Sequence, residues 1–172
     1  MPDQGSVAAP SDDVLVLNRY SEEDVGGHLA GEDEETARRL GWWPQSSTPE
    51  TVLRAFGEWA EQWRTNGPTR TFAARDKRLG RLVGGCQLRI KSDGSAQVSY
   101  WTSATERGKG YATRSLKLLC EYAGSIGVPL LEIEIAEDNL ASRMVAERAG
   151  FSFVDAFREG ECRMTRFHLP LK

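Results

Sequence analysis

Residues 106–119 read ERGKGYATRSLKLL, and the two glycines in that run, Gly108 and Gly110, constrain the chain more than any other feature. They stand where an alternating strand pattern, AQVSYWT over residues 96–102, gives way to a helical one. Glycine takes dihedrals that a side chain forbids and lets a ligand approach the backbone closely. A helix that starts on such a turn presents several unpaired amide N–H groups outward, where the helix dipole adds roughly half a positive charge. That is an anion site. Arg107, Lys109 and the Thr113 hydroxyl add cationic and hydrogen-bonding groups to it. A polyphosphate is the expected occupant, held without a metal, and no neighbouring carboxylate is expected to recruit one.

On the residues alone three readings of this turn stay open. A Walker loop needs Gly-Lys-Ser/Thr after a longer loop and a magnesium-binding Asp, which are missing. A dinucleotide fingerprint is closer, since Gly108-x-Gly110-x-x-Thr113 joins a strand to a helix with Glu132 and Glu134 downstream. It lacks the third small residue, and the preceding strands read as a meander. The plainest reading is a tight strand-to-helix connection with solvated Arg and Lys.

The other segments place the turn in a mixed α/β domain. VLVLNRY (14–20), TFAAR (71–75), RLVGGCQLRI (81–90) and AQVSYWT (96–102) are short and rich in branched and aromatic residues. The last three should form an antiparallel meander across the DKRLG and KSDG turns. The acidic run 22–40 suggests one or two short helices with a mobile joint near Gly26, Gly27 and Gly31. Ser47 with Glu50 reads as a capping box with Pro49 in the first turn, and Val52, Phe56, Trp59, Ala60 and Trp63 then recur on one helical face. A helix from about Gly110 to Ile126 carries the stripe Ala112, Leu116, Leu119, Cys120 and Ala123 and stops at Gly127. LLEIEI (130–135) follows as a strand parallel to the one before the turn, because a crossover helix joins them. NLASRMVAERAG is a second helix capped by Asn139 and stopped at Gly150, and two strands close the chain.

With 172 residues, 40% hydrophobic and 27% charged, the chain suits one well-cored domain, expected over 13–172 behind a loose tail of residues 1–12. A net charge of -3 argues against a nucleic-acid backbone as partner and favours a cationic small molecule or basic peptide. The first residues lack a basic n-region and an apolar core, and no apolar run approaches the roughly 18 residues of a membrane span, so neither leader nor membrane contact is expected. Three cysteines, Cys86, Cys120 and Cys162, and two distant histidines, His28 and His168, lack disulfide or zinc spacing. A reduced, cytoplasmic protein without a metal is expected.

RGKGYA, residues 107–112, is similar to the Arg/Gln-x-x-Gly-x-Gly/Ala signature of the GNAT acetyltransferases. DNLASRMVAERAGF resembles the Asn-x-x-Ser helix and following Gly-Phe of their RimJ/RimL-type branch, and AQVSYWT resembles that branch's strand before the turn. The resemblance implies an acyl-CoA N-acyltransferase fold: a mixed, mostly antiparallel sheet flanked by helices, with a splayed central parallel strand pair. It implies acetyl-CoA as cosubstrate and transfer of acetyl to a primary amine, of a small molecule or a peptide, by direct attack in a ternary complex. The acceptor stays open between an antibiotic amine and a protein N-terminus, and a non-catalytic acyl-CoA-binding sensor is the alternative of another class. A homodimer is compatible with it.

By the same resemblance the pyrophosphate contacts fall on Arg107, Gly108, Lys109, Gly110, Tyr111, Ala112 and Thr113, and the pantetheine contacts on the main chain of Tyr100, Trp101 and Thr102 and on Asn139. A backbone N–H of that strand would polarise the thioester carbonyl. The attacking amine must be neutral and the departing thiolate benefits from a proton. Glu134, five residues before Asn139, is the implied base, with Glu132 a substitute on the same face. Many relatives carry an acidic tyrosine where this chain has Ala146, so Ser142 is the implied acid and also a CoA contact. Gln97 and Arg114 depart from residues usual in the ribosomal-protein enzymes and weigh against a ribosomal substrate. The acceptor pocket is expected between the early helices and the last hairpin, with Glu32, Asp33, Glu34 and Glu35 to attract a cation and Trp42 or Trp43 to face an amine.

Overall fold

The computed structural model describes residues 8–40 and 44–172; Trp42 and Trp43 lie outside them. Among the described residues seven strands form one sheet: β1 (Leu15–Asn18), β2 (Thr69–Asp76), β3 (Arg81–Ile90), β4 (Ala96–Thr102), β5 (Leu130–Ala136), β6 (Ser152–Glu159) and β7 (Cys162–Pro170). Their order is β1-β2-β3-β4-β5-β7-β6. Every neighbouring pair is antiparallel except β4 and β5. Among the described residues five α-helices accompany them: α1 (Val25–Gly31), α2 (Glu34–Leu40), α3 (Pro49–Arg64), α4 (Tyr111–Ser125) and α5 (Leu140–Arg148).

The parallel pair follows from α4, whose apolar face returns the chain across the sheet. Leu116, Leu119 and Ala123 are fully buried against Leu88, Ala96 and Leu131. Burial extends beyond the expected stripe to Ser115, Leu118 and Tyr122, while Ala112 is only half-buried. Gly127 ends the helix at φ 84°, the left-handed stop that glycine accommodates. On β5, Leu131, Ile133 and Ile135 alternate into the core, leaving Glu132 and Glu134 on the other face.

Several local expectations are corrected. Thr48, not Ser47, caps α3, its Oγ1 accepting from the Thr51 amide, with Pro49 at the first position. The register moves by one because Ser47 Oγ donates instead to Glu32. Val52 and Phe56 are buried, but Ala60 is exposed. Gly26, Gly27 and Gly31 lie within α1 and are no joint. Gly31 is there for space, since a Cβ would stand 3.0 Å from Trp101 Cζ3. The end of the expected tail is tied down: Pro10 O accepts from Leu17 N at 2.8 Å, Asp12 Oδ1 caps the Val14 and Leu15 amides, and Asp12 Oδ2 meets Arg114 at 2.9 Å.

Candidate active site

Between β4 and α4 the chain makes a short 3-10 turn, Ala104–Glu106, and then passes through Gly108 and Gly110 at φ 77° and 84°. A side chain at such angles costs roughly 1–2 kcal/mol. A Cβ on either glycine would meet no atom within 4 Å, so the space before them is open. Gly110 is the N-cap and brings no side chain to the amides. The first helical hydrogen bond runs from Arg114 N to Gly110 O at 3.2 Å. Among the described residues no protein oxygen accepts from the amides of Gly108, Lys109, Gly110, Tyr111, Ala112 or Thr113. Tyr111 anchors this start from within, its buried hydroxyl donating to Asp76 Oδ2 at 2.6 Å.

The two cations point elsewhere than expected. Arg107 donates to both carboxylate oxygens of Asp33 at 2.7 and 3.1 Å and to Thr36 Oγ1 at 2.9 Å, and lies 3.6 Å from Glu35. That guanidinium holds the Asp33 carboxyl well below the usual range. A carboxylate does stand beside the turn: Glu106 is buried and takes Lys109 at 2.7 Å together with Arg81. Lys109's hydrogen bond heads the causes that lower the Glu106 carboxyl. Glu106 is thus committed to two cations, and the described residues contain no group of three or more His, Cys, Asp or Glu able to hold a metal.

Strand β4 pairs with β5 only at Ala96↔Leu131 and Gln97↔Glu132. From Val98 to Thr102 it keeps its β3 partners, with Cys86 opposite Tyr100 and Gly84 opposite Thr102, but has none on the β5 side. Backbone groups of Tyr100, Trp101 and Thr102 therefore border a parting of the sheet, which leads toward the free amides of α4. On the far side Asn139 caps α5, its Oδ1 accepting from Ser142 N at 3.1 Å. The Ser142 hydroxyl reaches back across the parting to the Tyr100 hydroxyl at 2.7 Å. Burial pushes the Tyr100 phenol up, so it stays protonated. The hydroxyl pair was not legible in sequence, where Tyr100 offers only its main chain.

Glu134 is half-buried and accepts from Gln97 Nε2 and Arg166 Nη2, each at 3.2 Å. Gln97 thus departs from the family in type yet is placed to orient the candidate base. Glu132 is otherwise occupied: burial raises its carboxyl, but Lys91 at 2.8 Å and His168 at 2.9 Å outweigh that and hold it low. Glu134 borders a cavity of about 320 Å³ with Gln87, Arg89, Gln97, Ser99 and Met164. A second cavity of about 330 Å³ lies beyond Ser99 and Tyr100, walled by α1, α3 and strands β2 to β4. Among the described residues the last hairpin takes no part in it and sends only Met164 to the cavity beside Glu134. Cys86 lines the larger cavity but is no nucleophile, because burial drives its thiol far up; burial also pushes Cys120 to about 12.

A mostly antiparallel sheet that parts at one parallel pair, with a glycine turn opening a helix at the parting, defines the GNAT-type N-acyltransferase fold. The chain belongs to the GNAT acetyltransferases: that family's acetyltransferase (GNAT) domain matches residues 15–152. It is an N-acetyltransferase by that membership. No curated protein sequence matches it. Among solved structures it resembles the RimL ribosomal L7/L12 α-N-protein acetyltransferase in complex with coenzyme A, with TM-score 0.83, 17% identity, and 95% and 97% of the two chains covered. It resembles the microcin C7 self-immunity acetyltransferase MccE in complex with acetyl-CoA and AMP with TM-score 0.81, 16% identity and coverage of 93% and 94%. An acetyltransferase from Salmonella typhimurium that modifies the N-terminal serine of ribosomal protein L7/L12 gives TM-score 0.76, 17% identity and coverage of 94% and 97%.

Proposed function

We propose that this chain transfers acetyl from acetyl-CoA to a primary amine by direct attack within a ternary complex. The observation that carries the proposal is the set of unclaimed amides from Gly108 to Thr113 beside the parting of β4 and β5. Open space before both glycines fits a diphosphate at those amides. The solved relatives support the choice of ligand, since one is held with coenzyme A and another with acetyl-CoA and AMP. In this reading Arg107 and Lys109 are recruited from Asp33 and Glu106 when the diphosphate arrives.

When bound, acetyl-CoA supplies an activated acetyl group on a thioester. Backbone groups of Tyr100, Trp101 and Thr102 at the unpaired edge of β4 align the pantetheine arm as an added strand, with Asn139 opposite. An amide of that edge faces the developing oxyanion. Glu134, oriented by Gln97 and Arg166, takes the amine proton, directly or through water. Ser142, whose hydroxyl lies 2.7 Å from that of Tyr100, gives its proton to the departing sulfur and is reprotonated from solvent through Tyr100, while Glu134 releases the amine proton to solvent. A reducing, cytoplasmic setting belongs to the proposal, supported by three free cysteines, one of them exposed.

Calorimetry with coenzyme A and thiol release from acetyl-CoA over an amine panel test the reading. Association and turnover are expected; association without turnover on any amine would make the chain an acyl-CoA sensor instead.

A further inference from the structure

The larger cavity has a built interior. Trp101 donates its indole N–H to the Tyr20 hydroxyl at 3.1 Å. Two glycines make room for this pair: a Cβ on Gly85 would overlap the Tyr20 hydroxyl and the Trp101 indole nitrogen, and one on Gly31 would press on the indole edge. His28 packs edge-on to Trp101 with centroids 4.8 Å apart, and Tyr20 lies 5.1 Å from Trp59. Tyr20, His28, Trp59 and Trp101 all border the empty volume, with Val52 and Ala55 beside them.

One anionic group faces this apolar space. Glu32 borders the cavity with only 12% of its side chain exposed. Its Oε1 takes both His28 Nε2 and Ser47 Oγ, each at 3.0 Å, which leaves Oε2 without a protein partner among the described residues. His28 is itself buried, and its Nδ1 is the one buried side-chain nitrogen or oxygen among the described residues with no hydrogen-bond partner. A carboxylate shielded from water and half-satisfied costs free energy unless a cation completes it. Flat aromatic walls favour a planar ring through stacking or edge contact.

We infer that this cavity is the acceptor site and that its ligand is a compact primary amine on a flat aromatic body, the ring against the wall that Tyr20, His28, Trp59 and Trp101 form and the ammonium drawn in by Glu32 Oε2. The inference rests on the acetyltransferase reading and narrows its acceptor. Ser99 borders both this cavity and the one that Glu134 lines, so in this reading Glu32 draws the ammonium in and the amine then passes to the parting of β4 and β5, where Glu134 takes its proton and the thioester is proposed to lie.

The first test is tryptophan fluorescence of the whole protein titrated with 2-phenylethylamine in the absence of coenzyme A. Saturable binding is expected, about tenfold or more tighter than n-butylamine because the ring is buried. Glu32→Gln should weaken it by roughly ten- to a hundredfold, and Trp59→Leu, at a partly exposed position, should weaken it too, with circular dichroism showing that each variant is folded. Equal affinity for the two amines, or no effect of either substitution, overturns the inference. The second arm compares acetyl-CoA turnover on 2-phenylethylamine with that on a hexapeptide beginning in serine. A faster peptide overturns the inference while the acetyltransferase reading stands; failure to bind coenzyme A at all removes that reading.

Discussion

Replacing Asp33 by Asn asks whether Arg107 belongs to the protein or to a ligand. In the structure Asp33 holds Arg107 through two hydrogen bonds at 2.7 and 3.1 Å, and its Oδ1 also caps the Thr36 amide at 2.8 Å. Asn keeps an acceptor for that cap and removes the charge. Both partners are more than a third exposed or close to it, at 39% and 34%. Solvent screening therefore limits the pair to about 1 kcal/mol despite its bidentate geometry. If coenzyme A must take Arg107 from Asp33, that free energy is spent on binding in the native protein and spared in Asp33→Asn. Affinity for coenzyme A should then tighten by roughly fivefold, read by calorimetry at low salt. Arg107→Ala should weaken it, and adding Asp33→Asn to Arg107→Ala should bring back little of the loss. A gain of the same size in both backgrounds would show that Asp33 acts only as a distant negative charge, and the exchange of partners would be refuted.

Gly110→Ala should lower stability by roughly 1–2 kcal/mol, since φ is 84° and no atom meets the added Cβ; a fall in coenzyme A affinity beyond about tenfold at temperatures where the variant stays folded would reveal a ligand at the turn. Glu134→Gln should remove the limb of the pH–rate profile that reports the base, and an unchanged profile eliminates Glu134. Tyr100→Phe and Ser142→Ala should lower kcat by a similar factor, with the double variant little worse than either, because the two hydroxyls act as one donor. Glu106 is held below its ordinary value, so its contribution to stability is full above the unfolded pKa of about 4.3 and is lost as pH falls through the lower folded value. The Tm gap between the native chain and Glu106→Gln should accordingly close on acidification.

What could be read from sequence was local. A glycine pair at a helix start is a backbone statement, and Gly108, Gly110 and the Asn139 cap stand where the pattern puts them. The alternation on β5 that turns Glu134 away from the core is likewise written in six residues. Charge partners were illegible, because Arg107 and Asp33 lie 74 residues apart and only the fold joins them. The aromatic cavity was hidden for the same reason, Tyr20 and Trp101 being 81 residues apart. Its one sequence signal was the Gly84-Gly85 pair inside β3, since glycine within a strand marks close approach by other atoms.

The central claim is that main-chain amides at the start of α4 receive a diphosphate. Backbone amide resonances of Gly108, Lys109, Gly110 and Ala112 followed by NMR during titration with coenzyme A, and in parallel with pantetheine, which lacks the diphosphate, test it most directly. Large, saturable shifts of these amides with coenzyme A and none with pantetheine are the result predicted. Coenzyme A that binds while leaving them unmoved, or that shifts them no more than pantetheine does, would contradict the account.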